Sequence, residues 1–103
     1  MVQIVNDNNV KGVISENEVT CIKLWADWCE PCKKIAPIYE KYSDEVPANV
    51  MLCSLAVDEN PDFADEMNIR SIPTILIFVK GECVERFTGS DAVDKLKNFI
   101  SSL

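Results

Sequence analysis

The chain has 103 residues, enough for one compact domain with a real core and too few for two. Nearly half of them are apolar and only eight are Gly or Pro, which excludes a disordered or collagen-like chain. A net charge of −7, with no basic stripe, excludes a nucleic-acid polyanion as partner.

Val2–Val5 reads as a short edge strand. Asn6 or Asp7 then caps a helix to about Glu16, with Val10, Val13 and Ile14 on one face. A strand from Val19 to Ala26 leads into Asp27-Trp28, and a helix is expected from Cys29 to about Val46. Its inward residues are Ile35, Ile38, Tyr39 and Tyr42, and Pro37 inside it is expected to kink it. Val50–Val57 reads as a buried strand. Asn60-Pro61 starts a short helix to about Met67, with a cap followed by Pro at the first helical position. Pro73–Val79 is a near-continuous apolar strand that Lys80-Gly81 turns into Glu82–Thr88 as a hairpin. Ser90 or Asp91 caps a last helix that carries Val93, Leu96, Phe99 and Ile100 inward. The order β-α-β-α-β-α-β-β-α gives a single α/β domain over residues 1–103. Its sheet is expected to be largely parallel, made mixed by the hairpin and covered on both faces.

Chemistry concentrates at Trp28-Cys29-Glu30-Pro31-Cys32. A disulfide between residues i and i+3 closes so small a loop that its chain-entropy contribution is only about 2 kcal/mol. Such a bond is a weak staple and a good switch. The pair also sits at the carboxyl end of a strand, where α/β sheets place function. A thiol at a helix N-terminus meets unpaired N–H groups and the positive end of the macrodipole, so Cys29 is expected to be the attacking thiolate. Cys32, one turn deeper, would resolve the mixed disulfide, and Pro31 stiffens the link without breaking the helix. Zinc would need two more ligands; the chain has no His, and Cys21, Cys53 and Cys83 lie singly in strands. No metal is expected. Cys21 and Cys53 read as small buried apolar residues, and Cys83, beyond a turn, as a candidate for exposure.

These motifs together resemble the thioredoxin family: Trp-Cys-x-Pro-Cys after an apolar strand, Pro37, Ile72-Pro73-Thr74 opening a later strand, and Gly81 and Gly89 flanking the last one. The resemblance spans essentially the whole chain. It implies a thioredoxin fold, a central mixed five-stranded sheet flanked by four helices. The implied activity is reduction of partner-protein disulfides by dithiol–disulfide exchange through Cys29 and Cys32. It further implies a cis proline at Pro73 and a substrate rim of Trp28, Glu30, Pro31, Ser71, Ile72, Thr88, Gly89 and Ser90. On that rim an extended segment would pair with backbone near Ile72. No bound cofactor is implied beyond the Cys29–Cys32 disulfide. The implied partners are disulfide-bearing proteins and a thioredoxin reductase, an NADPH flavoenzyme. Neither a basic amino-terminal region followed by an apolar run nor a membrane-length apolar stretch occurs, so a cytoplasmic monomer that does not engage membranes is expected. An oxidase, an isomerase or a redox-silent binding module would share the fold. The first two usually work in an oxidising compartment, and the last needs no intact cysteine pair.

Two residues depart from the family pattern. Glu30 replaces the usual Gly. Its carboxylate suits the helix start, but at ~7 Å from Cys29 it would repel the thiolate by about 0.6 kcal/mol in water and about 2.4 at an effective dielectric near 20. Lys33 and Lys34 would offset part of this. Lys23 stands where the family commonly buries an Asp, and Ser54 stands where that Asp has a lysine neighbour. Lys23 either snorkels along its aliphatic stem to solvent or serves Cys32 as a neutral base or a stabilising cation.

Overall fold

The computed structural model describes all 103 residues. Its elements are β1 (Gln3–Ile4), α1 (Val10–Glu16), β2 (Val19–Trp25), α2 (Glu30–Ser43), β3 (Val50–Ala56), α3 (Pro61–Glu66), β4 (Thr74–Val79), β5 (Glu82–Thr88) and α4 (Ala92–Ser101). The sheet order is β1-β3-β2-β4-β5. β2 and β3 alternate their side chains between two cores. Val19, Cys21 and Leu52 pack with Ile35, Tyr39, Leu96 and Ile100 of α2 and α4. Ile22, Leu24 and Leu55 pack with Val10, Ile14 and Phe63 of α1 and α3. This is the mixed five-stranded, four-helix α/β architecture expected from the element order.

The expectation of a largely parallel sheet needs correction. β1 and β2 run parallel to β3, but β4 runs antiparallel to β2 with Leu24 opposite Thr74, and β5 is antiparallel to β4. The reason is α3. Six residues rise only about 9 Å as a helix, against about 23 Å for a seven-residue strand, and the loops around α3 do not make up the difference, since Thr74 pairs opposite Leu24. The chain therefore re-enters the sheet at the end it left, beside the dithiol. At the other end, Lys80 and Gly81 both have positive φ (51° and 87°), as a tight hairpin turn between right-twisted strands requires.

Two boundaries and one buried face also differ. Asn6 does cap the first turn, its Oδ1 accepting from the backbone N–H of Asn8 and Asn9 while Val10 N–H donates to Asn6 O, but regular α1 starts only at Val10. α2 stops at Ser43 rather than near Val46, its last turn tightened by Asp44 N–H donating to Lys41 O, with Pro47 close beyond. Ile38, expected inward, is 45% exposed. On a helix it sits about 60° to one side of Ile35, at the edge of the stripe formed by Cys32, Ile35, Tyr39 and Tyr42. Phe99 is half-buried, edge-on to Phe87.

Asp7 has a long-range role that its neighbours in sequence do not reveal. Its carboxylate accepts from the backbone N–H of Asp62 (3.1 Å) and Phe63 (2.9 Å), and so caps α3 across the molecule. Asn60, the expected cap, instead accepts from Asp7 N–H at 3.0 Å. Asp7→Ala leaves two N–H groups without this partner and should lower unfolding stability by about 1–2 kcal/mol in urea titration, with redox activity retained. An unchanged midpoint would show that the cap is dispensable.

Candidate functional site

Strand β2 ends at Trp25 and the chain turns through Asp27-Trp28 into α2, placing Cys29 as the N-cap residue. Its backbone is extended (φ −93°, ψ 108°), and Pro31 lies in the first turn, where a missing N–H is tolerated. Cys29 and Cys32 are bonded as a disulfide with Cα atoms 5.3 Å apart. Cys29 Sγ accepts from Cys32 N–H at 3.3 Å and lies 3.6 Å from Ile72 O. The helix start thus directs a free N–H at the sulfur, as the sequence suggests.

Burial alone does not separate the two thiols, since Cys29 is 4% exposed and Cys32 2%. Their surroundings do. Cys29 faces the rim, against Ile72. Cys32 faces away from it, on a solvent-open pocket of about 210 Å³ shared with Lys23, Trp25, Ala26, Asp27, Lys33, Ala36 and Ser54.

The rim residues converge from two loops. The Ile72–Pro73 peptide is cis, and Thr74 Oγ1 donates to Ser71 O at 2.6 Å. Gly89, at φ +95°, donates its N–H to Pro73 O at 3.0 Å, bringing Thr88–Ser90 beside Ser71–Pro73. Ile72 N–H and C=O make no backbone bond within the chain. Trp28 is 66% exposed, held by a hydrogen bond from Nε1 to Asp58 Oδ2 (2.8 Å). A groove of about 490 Å³ opens between Trp28 and Ile72, walled by Val57, Ala64 and Ile69. Glu30 is exposed and paired with Lys33 Nζ at 3.2 Å.

Sequence reasoning missed Asp58, which fixes Trp28 from the end of β3, and this groove. It also missed Tyr39 and Glu40 as neighbours of Lys23. Asp58 had one signal, a carboxylate just beyond the strand beside β2; the others are brought together only by folding. Of the remaining cysteines, Cys21 and Cys53 are buried and Cys83 is exposed. No helix is long and apolar enough to cross a membrane.

Comparison with known proteins points the same way. The thioredoxin family model matches residues 1–102. A chloroplastic M-type thioredoxin of Spinacia oleracea is 39% identical over 105 residues, 97% of this chain; the chain spans 58% of that relative's length. A thioredoxin of Rickettsia felis is 34% identical and is matched over 98% of this chain and 97% of its own. A bifunctional thioredoxin reductase/thioredoxin of Mycobacterium leprae is 34% identical over 89 residues, 86% of this chain and 19% of its own length. The solved structure of Plasmodium falciparum thioredoxin superposes with a TM-score of 0.90, at 32% identity and 98% coverage of both chains. With the cysteine pair seated at the start of α2 and the family matched from end to end, this chain belongs to the thioredoxin family and is a protein-disulfide reductase acting through Cys29 and Cys32.

Proposed function

We propose that Cys29 is the attacking thiolate and Cys32 the resolving thiol. The observation that carries this division is the position of Cys29 Sγ, within reach of Cys32 N–H at the helix start and against Ile72 of the rim, while Cys32 lines the separate pocket it shares with Lys23. Thiolate attack on a substrate disulfide forms a Cys29–substrate bond and releases one substrate thiolate. Cys32 thiolate then attacks Cys29 sulfur, forms the intramolecular disulfide and releases the second. The disulfide itself is the redox carrier, with no bound cofactor.

The free N–H and C=O of Ile72 support docking of an extended substrate segment as an added strand over Trp28, Pro31, Ser71, Pro73, Thr88, Gly89 and Ser90. A side chain flanking the substrate cysteine fits the apolar groove beside Trp28. A thioredoxin reductase returns the electrons, an NADPH flavoenzyme in this proposal. The Mycobacterium leprae relative, whose name joins both activities in one chain, supports a partner of that class. The chain works as a cytoplasmic monomer on this reading.

Turnover of insulin disulfides with dithiothreitol as donor, and a reduction potential near about −270 mV, are expected. A potential near about −120 mV would replace the reductase by an oxidant. Glu30→Gly removes the carboxylate adjacent to Cys29 in sequence. It should lower the Cys29 titration midpoint by about one pH unit or less and raise the potential by at most about 30 mV. No change in either would mean that Lys33 already cancels the Glu30 charge.

A further inference from the structure

Lys23 occupies the middle of the central strand, between Ser54 of β3 and Ile75 of β4, and is 7% exposed. The side chain gives up most of its hydration and no ion pair engages it, but its Nζ keeps a contact with solvent. Its Nζ stands 5.0 Å from the centroid of the Tyr39 ring. The side chain spans two cavities. One, of about 280 Å³, it shares with Val2, Ile4 and Glu40 at the sheet edge. The other is the Cys32 cavity.

The charges facing this place are few. Burial disfavours the ammonium and is the largest influence; the Glu40 carboxylate on α2 opposes it. Tyr39 presents a ring face and keeps its phenol proton, and the Cys21 and Cys53 thiols stay neutral for the same reason, burial. In the Cys32 cavity Asp27 is the negative group, while the other lysine, Lys33, is engaged with Glu30 at the surface. Lys23 is therefore the one lysine lining the Cys32 cavity that no ion pair holds, with its ammonium over the Tyr39 ring.

We propose that Lys23 is a positioning residue for the resolving step, its ammonium stabilising the Cys32 thiolate that attacks the mixed disulfide. The inference rests on the assignment of Cys32 as resolving thiol. The Cys32 proton passes to solvent water, leaving a thiolate opposite the ammonium. That thiolate's electron pair forms the Cys29–Cys32 bond, the Cys29–substrate bond breaks, and the departing substrate thiolate takes up a proton from water. The dithiol loses the two electrons that the substrate disulfide gains.

Lys23→Met and Lys23→Gln keep a long side chain without the charge. In a Cys83→Ser background, reduced protein is mixed with the chromogenic disulfide dithiobis(nitrobenzoate). Attack by Cys29 appears as a second-order phase and resolution by Cys32 as a first-order phase. Cys32 itself is titrated by the NMR shift of its labelled Cβ.

Loss of a nearby opposite charge should raise the Cys32 midpoint by about one to two pH units. Each unit removes about tenfold of the thiolate and returns about threefold in nucleophilicity, so the first-order phase at pH 7 should slow about three- to tenfold. The second-order phase should stay within about twofold, because Cys29 faces the rim. If both variants melt at a new temperature but leave the Cys32 midpoint and first-order rate unchanged, Lys23 only snorkels and the proposal is overturned. If the unsubstituted protein shows attack but no first-order phase, the assignment of Cys32 fails first, and the proposal with it.

Discussion

Cys29→Ser reduces insulin-disulfide turnover to the uncatalysed background, a loss of roughly a hundredfold or more, whereas Cys32→Ser stops one step later with substrate still attached. The two outcomes differ because the thiols occupy different places. Cys29 is the sulfur that faces the rim and Ile72 O, so without it a substrate disulfide meets no thiolate. With Cys32 replaced, attack still occurs, but no second sulfur stands within reach to displace the substrate. Mixing reduced Cys32→Ser with glutathione disulfide should therefore give one glutathione per chain on Cys29, stable to dilution and released by dithiothreitol. Cys83 is exposed and can acquire a label of its own, so the experiment belongs in a Cys83→Ser background. Equal adduct formation by Cys29→Ser, labelled at Cys32, would reverse the assigned roles.

The parts of this site that were legible in the sequence are those whose chemistry is local. A cysteine pair three residues apart at the junction of an apolar strand and a helix defines its own geometry, because the helix start supplies the N–H that Cys29 Sγ accepts. Strands β2, β3 and β4 announced themselves as apolar runs bounded by turn residues. The sense of β4 was not legible, because it depends on how far α3 carries the chain and not on any residue of β4. The cap of α3 was not legible for a related reason. Asn60 and Asp7 each look like the cap of the helix that follows them. Folding instead brings Asp7 to the start of α3, an exchange between residues more than fifty positions apart. Lys23 showed the same limit: its identity was plain, but its setting over Tyr39 and beside the Cys32 cavity exists only once β2 and α2 are packed.

That packing also makes the fold sensitive to alkali. Burial pushes the Cys21 and Cys53 thiols from an ordinary 9.0 to about 12, Cys21 with a smaller contribution from Cys53. The folded state therefore keeps protons that the unfolded chain releases above about pH 9. Stability is unaffected by these thiols below that value and falls as pH rises through the window from about 9 to about 12. Each contributes a slope near 1.36 kcal/mol per pH unit, or about 4 kcal/mol by pH 12. Tyr39, whose hydroxyl donates to Cys21 O (3.1 Å) and Cys53 O (2.7 Å), is held neutral well above its ordinary 10.0 and adds to the loss beyond that pH. Tyr42 acts in the same direction. Lys23 acts in the opposite one. Its proton affinity is lowered by burial, so between its folded midpoint and its ordinary 10.5 the unfolded chain binds the extra proton and stability rises with pH. One lysine offsets part of two thiols. Against a total of about 5–15 kcal/mol for a domain of this kind, the net loss should unfold the chain between roughly pH 10.5 and 12. Urea titrations followed by circular dichroism at half-unit steps from pH 8 should show stability falling by about 1–2 kcal/mol per unit from about 9, and more steeply above 10.5, where Lys23 no longer offsets a thiol. Cys53→Ala should start less stable at neutral pH, from its lost packing, and descend with a slope smaller by about 1.4 kcal/mol per unit. A stability that stays level to pH 11, or a slope untouched by Cys53→Ala, would mean that the buried thiols find water on a path that the packed sheet does not show.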